Sequence, residues 1–103
     1  MPKTLELDIT KYWEFPAKVT IKKLNFGELV DLKDNMPMHI DPFTNLPKER
    51  EGLASVMFVQ YSIVTAPFIK GKKATVEEIR ELDYDLGTFL AEEVFKLNGI
   101  TPN

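Results

Sequence analysis

The chain has 103 residues, 44% of them hydrophobic, which suits a single domain over residues 1–103 with one small core. There is no cysteine, which excludes a disulfide framework and any thiolate metal site. The net charge of −3 argues against a general nucleic-acid binder, which would carry a basic face.

Near the N-terminus Leu5, Leu7 and Ile9 alternate with Glu6 and Asp8, the period of a half-buried strand. The same acids break any apolar run that a signal peptide would need. Tyr12, Trp13 and Phe15 follow, and Pro16 interrupts them. Val19 and Ile21 then alternate with Lys18, Thr20 and Lys22. The two runs predict an antiparallel hairpin, which needs a helix to cover it.

Asn25 fits the N-cap of a first helix, with Glu28 placed to complete a capping box and Leu24 and Leu29 at the two staple positions. Pro37 sets its end near Asn35. Residues 36–50 hold Pro37, Pro42 and Pro47 and read as a long loop, apolar for its kind. Residues 51–66 are the most hydrophobic segment. About 14 residues without Gly or Pro exceed a typical strand, so the expectation is a central helix closed by Pro67. Residues 53–69 are too short and too interrupted to span a bilayer, and the expectation is a soluble, intracellular chain.

Lys70-Gly71-Lys72-Lys73 makes a basic turn. Thr75 with Glu78 repeats the capping-box pattern and opens a short helix to about Leu82. Asp83 is placed to cap a last helix whose core stripe is Leu86, Phe89, Leu90, Val94 and Leu97, with Glu92 and Lys96 paired outside. Asn98-Gly99 supplies the left-handed stop, and Ile100 fits the apolar contact that goes with it. The expected fold is α+β and mostly helical, an N-terminal β-hairpin followed by about four helices around one small core.

No residue set survives as catalytic. His39 is the only histidine, and His39 with Asp41 falls short of a closed metal site. The carboxylates of residues 77–93 follow the outward phase of amphipathic helices and read as a solvated face. Ser55, Ser62, Thr44 and Thr65 lack the setting of an activated nucleophile, and no Gly-rich phosphate loop is present. No cofactor or metal is expected. Trp13 beside Lys11 and Lys18 could stack on single-stranded nucleic acid, but core packing is the simpler reading. Phe95 falls off the main stripe of the last helix, near Ala91, and marks a widened core or an interface.

The run Lys18-Val19-Thr20-Ile21-Lys22-Lys23-Leu24-Asn25-Phe26-Gly27-Glu28, the acidic joint from Glu77-Glu78-Ile79 through Asp83 and Asp85 to Gly87, and the ending Leu97-Asn98-Gly99 come in an order that resembles the small tail assembly chaperones of long-tailed phages and proviruses. Ala66-Pro67-Phe68 after the central helix fits the same pattern. The resemblance covers about residues 13–100; the leading strand and residues 36–47 stand outside it. It implies a non-enzymatic protein of the host cytoplasm. Such a protein binds the apolar, helical tape-measure protein, aids recruitment of the tail-tube protein, and leaves before the tail is finished. Partner contact then calls for adaptable apolar anchors, for which Met36, Met38, Phe43, Met57, Phe58 and Phe95 are the candidates. Two alternatives stay open: a structural tail component retained in the particle, and a small nucleic-acid-binding regulatory module using Lys70–Lys73 and Trp13. Homo-oligomerisation stays open too.

Overall fold

The two alternating runs pair. Strands β1 (Thr4–Asp8) and β2 (Lys18–Lys22) run antiparallel, with Leu5 opposite Ile21 and Leu7 opposite Val19. Leu7, Val19 and Ile21 are buried, while Glu6 and Lys18 meet across the outer face at 3.1 Å. This is the inside–outside alternation of an antiparallel sheet with one wet face. A single 3-10 turn at Thr10–Tyr12 joins the strands. Asp8 accepts the Thr10 amide at 2.9 Å, and the Ile9 amide donates to the Ala17 carbonyl at 3.0 Å. The computed structural model describes residues 4–36, 38–40, 47–49 and 51–99.

Helix α1 (Phe26–Asp34) begins as its sequence dictates. Asn25 accepts the Glu28 amide, and the Glu28 carboxylate accepts the Asn25 amide, so each satisfies a backbone donor that the first turn leaves orphaned. Lys22 also donates to Glu28, tying the helix to the end of β2.

The segment 36–50 is not one unstructured loop. Strands β3 (Met38–Ile40) and β4 (Pro47–Glu49) pair as a second small antiparallel hairpin, Met38 opposite Glu49 and Ile40 opposite Pro47. Pro47 takes the first position of its strand, where its missing N–H is tolerated. Three prolines masked two three-residue strands that are too short for a clear period-two signal.

Helix α2 (Glu51–Ser62) is shorter than the expected 51–66. The chain leaves it directly into β5 (Ile63–Thr65), which adds to β2 and completes a sheet ordered β1-β2-β5. Ile63, Val64 and Thr65 are all β-branched; they lose side-chain freedom in a helix and fit a pleated strand. Ile63 lies opposite Ile21, and the register shifts by the next pair, Thr20 with Thr65. Tertiary pairing therefore overrode the length argument.

Helices α3 (Val76–Arg80) and α4 (Tyr84–Leu97) close the fold. Leu86, Leu90, Val94 and Leu97 are the buried stripe of α4, while Phe89 is half-buried. With Ile9, Val19, Ile21 and Leu32, residues Leu90 and Val94 have no exposed surface, which puts the core between the inner sheet face and the helices. Gly99, at φ 73°, ends α4 and donates to the Lys96 carbonyl at 3.1 Å, one of the two bonds of a Schellman stop. Ile100, expected to support that stop, lies outside the described residues. Asn98 links the two ends of the fold: its Oδ1 accepts the Leu24 amide and its Nδ2 donates to the Val94 carbonyl, both at 2.8 Å. The pairing expected of Lys96 with Glu92 is replaced by one with Glu93 at 3.6 Å. No helix among the described residues is long and apolar enough to cross a membrane.

Candidate functional site

The short helix α3 is held firmly for its size. Thr75 and Glu78 form the expected capping box, and the second carboxylate oxygen of Glu78 accepts the Lys70 amide at 2.9 Å. These amide bonds hold the Glu78 carboxyl below its ordinary range. Ile79 is buried, so α3 is pinned at both its N-terminus and its inner face. Asp83 is the N-cap residue of α4, as expected, but its side chain makes no capping hydrogen bond and it stands exposed.

Pinned there, α3 forms one side of a groove of about 860 Å³ between α2 and α4. Leu53, Val56 and Val59 of α2, Ile79 of α3, and Gly87, Ala91 and Phe95 of α4 line its apolar part. Arg80, Asp83 and Glu92 stand along its edges and are exposed. From Tyr84 to Phe95 the trough follows α4 for about three turns, or roughly 16 Å at 1.5 Å per residue. It is long, open and apolar, and among the described residues no three His, Asp or Glu side chains converge as metal ligands would.

The six expected anchors fall in different places. Phe95 lines the groove and meets Phe58 edge-on, ring centroids 5.4 Å apart. Phe58 and Met57 belong to the core, 9% and 6% exposed, so Phe58 supports the groove from behind and offers little surface itself. Met36 is 5% exposed and packs in the core. The backbone of Met38 lies in β3, but its side chain and the whole of Phe43 lie outside the described residues, as does the His39 side chain.

Leu53, Val56, Gly87 and Ala91 also line the groove, and composition alone does not single them out. For Ala91 a signal exists. Tyr84, Thr88, Ala91 and Phe95 recur at steps of four, three and four, a second stripe beside the buried one. Phe95 alone stood out because Tyr, Thr and Ala carry little hydropathy.

The N-terminal aromatics are mostly occupied. Tyr12 stacks on Phe89 with centroids 5.3 Å apart, and Trp13 lies against Phe68 at 5.9 Å. Phe15 remains 60% exposed. Trp13, Phe68 and Lys70 border a smaller cleft of about 260 Å³, but Glu78, Glu81 and Asp83 border it as well. That wall of carboxylates repels a phosphate backbone and weighs against the nucleic-acid reading. Comparison of the chain with protein-family models, with curated proteins and with solved structures yields no match.

Proposed function

We propose that the chain is a non-enzymatic tail assembly chaperone of the long-tailed-phage kind. It would act in the host cytoplasm, sheltering apolar helical stretches of a tape-measure protein until tail-tube protein assembles around them. The order of signals in the sequence supports this reading, from Lys18–Glu28 through the acidic joint to Asn98-Gly99. The observation that carries it is the groove along α4, an open apolar trough about three turns long with charged edges. An amphipathic helix laid into a groove buries one face and keeps the other in water. A protein that holds an aggregation-prone helix soluble needs that geometry and no reactive group.

The test is co-expression of the full chain with the tape-measure protein of its own gene cluster. The two are expected to co-purify, the tape-measure protein to precipitate when expressed alone, and the chain to be missing from finished tails by mass spectrometry. Its presence in finished tails at fixed stoichiometry would instead identify a structural tail component.

A further inference from the structure

Gly87 is the unexplained residue of the groove. It is the fourth residue of α4, its amide closing the first turn on the Asp83 carbonyl at 2.9 Å, and glycine within a helix weakens it relative to alanine. Two intramolecular reasons for a glycine are absent. Its φ is not in the left-handed region, which Gly99 alone occupies among the described glycines. Nor is it crowded, since a Cβ built on it meets nothing within 4 Å. The open space in front of Gly87 is the groove. The backbone of α4 is thus bared toward the groove, with Ala91 one turn on, and small residues at such a spacing let two helix axes approach closely.

Charge describes what would come. Residues 76–97 hold seven carboxylates against Arg80 and Lys96, a net of −5. The whole chain is −3, so the remainder is +2. The negative excess is therefore gathered on α3, α4 and the joint between them, which line the groove together with α2. At its edge Asp83 and Glu92 outnumber Arg80, and Glu81 and Asp85 are exposed close by in sequence. Such an edge favours a cationic partner and disfavours an acidic one.

We propose that the groove takes an amphipathic helix flanked by Lys or Arg on both sides of its apolar stripe, with its closest approach at Gly87, where it presents a small residue. The inference deepens the chaperone reading and rests on it for the groove being a docking site. Gly87 is kept at a cost to the helix because its missing side chain is the space the partner fills. Asp83 and Glu92 fix the partner's flanking charge, while Phe95 and Val56 form the apolar walls.

Two fluorescein-labelled helical peptides of about 18 residues, five turns, supply the probe. Both carry one Leu/Ala stripe; one is flanked by Lys and the other by Glu. Fluorescence anisotropy with the full chain is expected to show saturable binding of the Lys-flanked peptide and binding about tenfold or more weaker for the Glu-flanked one, about 1.4 kcal/mol. Gly87→Leu is expected to cut binding of the Lys-flanked peptide by about tenfold or more. Its thermal midpoint should equal or exceed that of the parent chain. Should that variant fold poorly, the double variant Asp83→Lys with Glu92→Lys tests the same site from the exposed edge, and it is expected to shift preference toward the Glu-flanked peptide. Undiminished binding by a folded Gly87→Leu, equal binding of the two peptides, or no binding of either overturns the inference. Co-purification with the tape-measure protein decides the chaperone reading separately. If it succeeds while the peptides fail, the chaperone works through another surface. If the peptides bind and it fails, the groove serves a different basic helix.

Discussion

Ser62 is the one buried side chain among the described residues whose polar atom has no hydrogen-bond partner. It is fully buried at the last position of α2. A buried hydroxyl without a partner costs about 1–3 kcal/mol of desolvation. Ser62→Ala is therefore expected to stabilise the fold by about 1 kcal/mol, read as a higher urea midpoint at unchanged slope. Met36 behaves in the opposite way. It carries the adaptable side chain that suggested a contact residue, yet it is spent on the core, and sequence cannot separate these uses because both ask for a flexible apolar group. Phe95 was legible as an oddity of phase. Gly87 was not, because a glycine in a helix signals only a cost until the space before it is known.

At the scale of elements, local chemistry was readable wherever a backbone orphan had a side chain at fixed spacing to satisfy it. Asn25 with Glu28, and Thr75 with Glu78, form both capping boxes the spacing predicts. Asn25→Ala removes the acceptor for the Glu28 amide and is expected to cost about 1 kcal/mol, measured by chemical denaturation. The hairpin of β1 and β2 was equally readable, since a polar outer face left its alternation intact. Two places were not readable, one because its pairing is decided far along the chain and one because its local signal was obscured. The three residues of β5 take extended form because Ile21 of β2 offers an edge opposite Ile63, about forty positions away, a fact with no local trace. Hairpin β3–β4 was hidden by its prolines and its brevity.

Across the whole molecule, carboxylates at three separate joints depend on being ionised. Asp8 is lowered by hydrogen bonds from Thr10, Glu28 by the hydrogen bond from Lys22 and the amide of Asn25, and Glu78 by the amides of Lys70 and Thr75. In each case the folded value lies below the unfolded one. The stabilisation is thus fully present above the ordinary carboxylate range, about pH 4–4.5, and is lost as pH falls through it toward the folded values. The thermal midpoint should be level near neutrality and drop on acidification below about pH 5. Glu28→Gln should start lower and lose less, and an equal acid-induced drop in that variant would exclude Glu28 as a contributor. The groove was not legible in the sequence, because it is assembled from α2, α3 and α4 and spells no motif in any one of them.

The junction of α2 with β5 bears on how the groove can move. One wall of the groove, α2, passes into the sheet at Ser62–Ile63 without a single linking residue. That wall cannot swing as a hinged flap, because turning it would twist the strand bonded to β2 and disturb the pairing of Ile63 with Ile21. The sheet therefore anchors one side of the trough, and a helix entering the groove would leave less of that wall to order on arrival.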